Sequence, residues 1–286
     1  MPVGAARPVH HYFTVDVEEH FHANALEPVV KRSEWDQLPS RVERNVDVLL
    51  DMLDRHRATG TFFVVGWLAS RHPELLRLIS DAGHEIASHG FWHRRVTSAS
   101  LNDFRTDVRD AKAAIEDVVG MPVVGYRAPS FSIRPGGEEA FDVLLEEGYE
   151  YDSSIFPIRR AGYGYPGAPT HPFVIDREAG ALREYPLTTL DVLGVRVPAA
   201  GGGYLRQFPF GLIERAFAER ERRGVPAVFY IHPWEIDPGQ PRLPVRALTR
   251  LRHYRGLDVA QERVERLLQR FSFTSISAAN ASEAAR

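Results

Sequence analysis

The sequence predicts an α/β fold built on a parallel sheet, and two observations predict it. Short runs rich in β-branched and aromatic residues alternate with segments of helical periodicity. Strand–helix–strand alternation with buried β-branched strands means a parallel sheet with crossover helices. Polar residues capable of chemistry fall where those runs end: Asp16, His89, Arg127, Asp152 and His232. In a barrel of parallel strands these ends meet on one face, so residues far apart in sequence converge there.

The elements follow in order. HYFTVDV (His11 to Val17) reads as the first strand. A helix over Arg41 to His56 carries Val42, Val46, Leu49, Leu50 and Leu53 at 3.6-residue spacing. Gly60 to Gly66 is the second strand; Leu68 to Ala82 is helical with a break at Pro73, and His84 to Gly90 is the third strand. The longest helix spans Ser100 to Val119, with Ser100 as cap and Leu101, Phe104, Val108, Ala111, Ile115 and Val118 along one face. Pro122 to Pro129 is a strand, Glu138 to Glu147 a short helix stopped by Gly148, and Tyr149 to Ile155 a fifth strand. Residues 156–208, rich in Pro, Gly and Tyr, read as an insertion of loops and a small sheet, with strand-like pieces at Arg183 to Thr189 and Leu190 to Pro198. Phe210 to Arg223 returns to helix, Pro226 to His232 to strand, and Leu257 to Arg270 is the last helix, its apolar face Val264, Leu267, Leu268 and Phe271. The small, polar tail after Ser277 is expected to fray.

Composition narrows the chemistry. The 286 residues are 44% hydrophobic, enough for a large core. Thirty-five basic against 38 acidic residues give a net charge of −3, without the positive excess that bulk nucleic-acid binding needs. The absence of cysteine excludes disulfides, thiolate nucleophiles and Cys-ligated metals, so any metal is held by His, Asp or Glu. No apolar run reaches the length of a membrane span, and the N-terminal residues lack the apolar stretch of a secretory signal. The expected location is therefore cytoplasmic. The oligomeric state is not legible.

His89 and His93 stand four residues apart, a spacing that places two imidazoles on one side of a helical turn, within reach of one metal ion. With 12 His in the chain, about half of such a pair arises by chance, so the spacing gains weight only from its place after a strand. In Asp16-Val17-Glu18-Glu19, strand alternation points Asp16 and Glu18 one way and Glu19 the other. Two acids on one face can divide metal binding from proton transfer; a solvated acidic loop explains them equally well. Nearby His20 and His22 read as surface residues. His232 at a strand end suits a general acid, with Asp152 a candidate to orient it; a buried, satisfied His is the competing reading. Arg127 can hold an acid by a two-point contact, or form a structural ion pair. Gly201-Gly202-Gly203 lacks the Lys-Ser/Thr of a phosphate loop, and no G-x-S-x-G is present. Arg246, Arg250, Arg252, His253 and Arg255 form a basic stretch that reads as a solvated face. A less favoured reading is peripheral contact with phosphate on a lipid-linked glycan, with binding that weakens as salt is added.

Taken in order, these pieces resemble the polysaccharide deacetylase family, carbohydrate esterase family 4. Its five motifs have counterparts in Thr14 to Glu18, His89 to His93, Arg127-Ala128-Pro129, Asp152 to Phe156 and Val228 to His232. Three departures stand out. A residue separates the two acids of the first motif, leaving Glu18 or Glu19 as the acidic ligand. Ser130 precedes the aromatic Phe131, and Phe156 stands for a tryptophan. Pro198 to Pro209, His232 to Pro238 and Arg250 to Asp258 resemble the branch linked to exosortase-type exopolysaccharide clusters, so the likeness covers about residues 10–276. The resemblance implies a distorted (β/α)7-type barrel in one catalytic domain, with the insertion at 156–208 and a family-specific region at about 233–276. It also implies a divalent metal, usually Zn2+, on Glu18, His89 and His93. Asp16 is then the base fixed by Arg127, and His232 the acid oriented by Asp152. The implied reaction removes N-acetyl groups from an oligo- or polysaccharide. Two alternatives remain: a hydrolase of small cyclic amides or formamides on the same barrel, and a non-catalytic glycan-binding component of exopolysaccharide assembly.

Overall fold

Strand β1 (His11–Val17) is buried along its whole length, and every other central element is placed relative to it. The computed structural model describes residues 9–160 and 162–284. Helix α1 (Val42–Arg55) buries Val42, Val46, Leu49, Leu50 and Leu53, the stripe its spacing predicts, and leads to β2 (Thr61–Val64). Pro73 divides the next helical segment into α2 (Gly66–Arg71) and α3 (Pro73–Asp81), because proline fits only the first turn of a helix. β3 (Glu85–Ser88) follows, then α4 (Leu101–Val119). Ser100 caps α4 by accepting from Asp103 N at 3.1 Å, while Leu101, expected on the buried face, is 49% exposed in the first turn.

β4 is only Gly125–Tyr126, shorter than the expected Pro122–Pro129 run; α5 (Glu139–Glu146) and β5 (Tyr151–Asp152) complete the regular alternation. The 156–208 segment contributes a hairpin, β6 (Phe173–Arg177) with β7 (Gly180–Glu184), and a second, β8 (Thr189–Val192) with β9 (Val195–Pro198). The Leu190–Pro198 piece is thus two strands joined at Leu193-Gly194. After α6 (Gly203–Gln207) and α7 (Phe210–Arg222), β10 (Val228–Ile231) returns to the centre. The chain ends in α8 (Ala247–Tyr254), α9 (Leu257–Arg270), β11 (Phe273–Thr274) and α10 (Ile276–Ala284). The tail is therefore helical through Ala284, where fraying was expected. Its first turn is tied down: Ile276 N donates to Thr61 Oγ1 at 2.9 Å and Ser277 N to Glu85 Oε2 at 2.9 Å.

The strand order is β10-β1-β2-β3-β4-β5-β7-β6, parallel except for the β6–β7 hairpin, and β11 pairs with β1. Among the described residues no ladder joins β6 to β10. The gap beside β10 is bridged instead by Thr188 N on Val228 O (3.4 Å), Tyr230 N on Ala200 O (2.7 Å) and Gly202 N on Tyr230 O (2.9 Å). Gly201 has φ +127°, and a Cβ there would collide with the Tyr230 carbonyl, so the close approach requires glycine. This is the distorted (β/α)7-type barrel, with the inserted hairpins at its seam. No helix among the described residues is long and apolar enough to cross a membrane.

Candidate metal and catalytic site

Parallel strands place the ends of β1, β3, β4, β5 and β10 on one face, and the predicted side chains meet there in part. Glu18, His89 and His93 are buried and offer one ligand atom each, all within 4.8 Å of one another. The His pair does not lie on a helical turn. It spans a bend in which Gly90 (φ +71°) and His93 (φ +50°) reverse the chain. The bend is fixed from two sides. Gly66 N and Trp67 N, unpaired donors in the first turn of α2, donate to Gly90 O (2.8 Å) and Phe91 O (3.0 Å). Asp107, buried on α4, accepts from Phe91 N (2.8 Å) and Trp92 N (3.1 Å). A left-handed non-glycine residue is uncommon, and here it aims the His93 imidazole at Glu18.

The ligand set fits a divalent cation. His89 Nδ1 is 2.8 Å from the Arg127 carbonyl, which it can serve only as a donor, so the lone pair sits on Nε2. Burial pulls the His89 pKa down to about 4, keeping the ring neutral as a ligand must be. Glu18 Oε1 accepts from Trp234 Nε1 at 2.8 Å, while Oε2 lies 2.7 Å from His93 Nε2. Burial opposes ionisation of Glu18, but His93, His232 and His89 outweigh it and hold the carboxyl well below the usual range. A buried carboxylate facing two imidazoles is the hard–borderline donor set that Zn2+ and its neighbours accept. Glu19 points away, as alternation predicts, and caps α1 by accepting from Arg41 N at 3.1 Å and from Ser40 Oγ. The acid of the cluster is therefore Glu18.

Asp16 stands on the same face of β1. Its Oδ1 accepts from Arg127 Nη1 at 2.7 Å, and the same nitrogen reaches Thr14 Oγ1 at 2.7 Å. The contact is one-point, not two-point, because Nη2 and Nε are engaged by Ser153 Oγ (2.7 Å) and Ser153 O (2.9 Å). Arg127 is fully buried, so the position of Asp16 is fixed.

His232 Nε2 lies 3.8 Å from Asp16 Oδ2 and 3.7 Å from Glu18 Oε1. Asp152 does not orient it. The His232 Nδ1 partner is Glu235 Oε2 at 2.9 Å, and Glu235 Oε1 accepts from Arg206 Nε at 2.7 Å. Burial disfavours a charged His232, but Glu18, Glu235 and Asp16 outweigh it and raise its pKa to about 9. Asp152 instead faces Glu184 across the paired strands β5 and β7, and binds Ser154 Oγ at 2.6 Å. Sequence reasoning passed over Glu235 and Arg206. The signal was His232-x-x-Glu235, a spacing that a single short helical turn (Pro233–Ile236) closes. His20 and His22, expected at the surface, are buried; His22 Nδ1 accepts from Glu19 N at 3.3 Å. A ring stack continues behind the site, His232 on Trp234 at 5.0 Å and Trp234 on His253 at 4.7 Å. His253, counted with a solvated basic face, is therefore interior.

Fold and site together define an α/β barrel with a carboxylate–imidazole cluster at the carboxyl ends of its strands. Residues 33–148 match the family model "Polysaccharide deacetylase". Residues 153–281 match a second family, "Domain of unknown function (DUF3473)". The peptidoglycan-N-acetylmuramic acid deacetylase of Bacillus subtilis (strain 168) is 33% identical over 72 residues, 25% of this chain and 27% of the relative. The peptidoglycan-N-acetylglucosamine deacetylase of Bacillus cereus is 30% identical over 102 residues, 36% and 46% of the two chains. The chitooligosaccharide deacetylase of Sinorhizobium fredii is 37% identical over 67 residues, 23% and 31%. The chain thus spans less than half the length of each of these relatives. A solved Mycobacterium smegmatis structure assigned to the polysaccharide deacetylases superposes with a TM-score of 0.67 at 23% identity, covering 98% of this chain and 91% of the other. An allantoinase structure gives 0.60 at 17%, covering 96% and 88%. The two structures share the fold. The family model over residues 33–148 and these relatives make that part of the chain similar to polysaccharide deacetylases.

Proposed function

We propose that the whole chain is one catalytic unit, a metal-dependent hydrolase that removes N-acetyl groups from amino sugars of an exopolysaccharide or its precursor. The observation that carries this reading is the meeting of Glu18, His89 and His93 within 4.8 Å, beside Asp16 and His232. The two His and the carboxylate would hold the cation, with Zn2+ the first choice. A cation held there supplies positive charge that polarises an acetyl carbonyl and acidifies water. Asp16, held by Arg127, takes the proton of the attacking water. His232, held by Glu235, gives a proton to the departing amine. Acetate leaves, and the sugar keeps an amine that is charged at neutral pH.

Openness on both sides of the site favours a chain-like substrate over a small cyclic amide. A cavity of about 580 Å³ is lined by Tyr230, whose ring is 5.7 Å from that of His232, and another of about 350 Å³ includes His93, Trp35 and Trp92. The insertion contributes Arg160 and Tyr163 to the wall of the first without sealing it. The test is acetate release from N-acetylated oligosaccharides of increasing length, with and without chelator. The reading expects chelator-sensitive release that rises with length. Release indifferent to chelator, or turnover of cyclic amides alone, contradicts it.

A further inference from the structure

We infer that the cavity beside His232 is a subsite for a negatively charged group on the glycan, bound by Arg160 and Arg252. The inference rests on the glycan reading above and adds the charge class of the substrate.

The lining of this cavity of about 580 Å³ contains three arginines and no Asp or Glu. That imbalance is local, since the whole chain is slightly acidic. The three are not equivalent. Arg206 is buried, donates to Glu235 at 2.7 Å and to the carbonyls of His253 (2.9 Å) and Arg255 (2.6 Å), and is thereby neutralised and fixed. Arg160 and Arg252 are exposed, and neither forms an ion pair among the described residues. They come from different parts of the chain, the loop after β5 and helix α8, and converge on one space. Between Asp237 and Asp258 the chain has five Arg and no acid, so nothing local neutralises Arg252.

The remaining wall suits a sugar ring. Tyr163 and Tyr204, joined through their hydroxyls, and Tyr230 present aromatic surface with polar edges. The volume is that of a small-ligand pocket. The cavity lies next to the chemistry: the ring of Tyr230 in its wall is 5.7 Å from the His232 ring. A glycan whose acetamide sits between Asp16 and His232 and which extends past Tyr230 places a neighbouring unit in this cavity. Two guanidiniums without an ion pair, that of Arg160 resting over the Tyr163 and Tyr204 rings, select an oxyanion there, either the carboxylate of a uronic acid or a phosphate ester at the end of the glycan.

Calorimetric binding to the metal-loaded full chain tests this with three probes: an N-acetylglucosamine oligomer, an oligomer of the same length containing a uronic acid, and N-acetylglucosamine 1-phosphate. Wild type should bind at least one charged probe about tenfold or more tightly than the neutral oligomer at low salt. The advantage should shrink as salt rises. The carboxylate and phosphate arms decide which oxyanion is read. Arg160→Gln/Arg252→Gln should remove the advantage, lowering affinity for the charged probe far more than for the neutral oligomer. Equal affinity for charged and neutral probes, no binding of any probe, or a preference that survives the double variant overturns the inference. Acetate release measured in parallel separates the two claims. Turnover without charge preference sinks the subsite alone, and charge-selective binding without turnover sinks the deacetylase reading alone.

Discussion

The two oxygens of Glu18 have different duties: Oε1 is held by the Trp234 indole, leaving Oε2 to face His93. Asp16, two residues earlier on the same strand face, is held by Arg127 and lies outside the Glu18–His89–His93 cluster. Asp16→Asn should therefore keep the metal content of wild type and lose roughly 10²-fold or more of acetate release, the size of a general-base contribution. Loss of metal in that variant would instead make Asp16 a ligand. In the proposed mechanism Glu235 acts through His232, whose Nδ1 it holds at 2.9 Å. Removing its charge takes away one of the negative neighbours that raise the imidazole, so His232 in Glu235→Gln should titrate at a lower pH than in wild type. An NMR titration of the ring reads this directly, and an unchanged midpoint would dissociate Glu235 from the acid role. At this scale the sequence was legible where side-chain alternation decides, as at Asp16, Glu18 and Glu19. Asp152 was misplaced because register, not spacing, chooses a partner: β5 pairs Asp152 with Glu184, and His232 finds its carboxylate three residues away.

Among the elements, the bend carrying His93 shows what hydrophobic periodicity misses. Four residues between two His suggested a helical turn. The conformation is instead set by α2 and α4, whose Gly66, Trp67 and Asp107 bind the bend backbone. Removing the Asp107 carboxylate should therefore loosen His93 without touching a ligand. Asp107→Ala is expected to weaken metal affinity by about 10–100-fold, as losses of supporting contacts around metal sites do, with helix content retained. Metal titration and circular dichroism check the two halves, and unchanged affinity would mean that the strained His93 backbone holds itself. Gly90→Ala should act the same way, since its Cβ would meet Asp107 Oδ2 at 2.6 Å in a left-handed conformation. Helices α1, α4 and α9 were legible because each buries a continuous apolar stripe. β4, β5 and β11 were overestimated or missed because two paired residues leave no periodic trace. The tail helix was hidden for a different reason: its polar first turn is anchored by Thr61 and Glu85, residues more than 190 positions away.

For the whole molecule, the seam of the barrel stores a pH dependence. Glu184 and Asp152 are both fully buried; burial raises both carboxyls, and the Asp152 carboxylate raises Glu184 further. A carboxyl whose folded pKa lies above its unfolded value stabilises the fold below the unfolded pKa, near 4.5, and loses that contribution as pH rises through the folded one. Glu184→Gln keeps a donor for Asp152 and removes the titration, so its melting temperature should decline less than that of wild type as pH is raised. Parallel curves would contradict this. The acid side has the opposite sign. His11, His84 and His253 are buried with pKa values near 4, so stability should fall as pH drops from 6.5 toward 4, where the unfolded chain takes up protons that the folded chain refuses.

The metal site is tested by the divalent metal bound per chain in wild type and in Glu18→Ala, His89→Ala and His93→Ala, each first shown folded by circular dichroism. Wild type should hold one ion tightly, and none of the three variants should hold any. A wild-type chain that binds no ion, or a variant that retains full occupancy, would contradict that expectation.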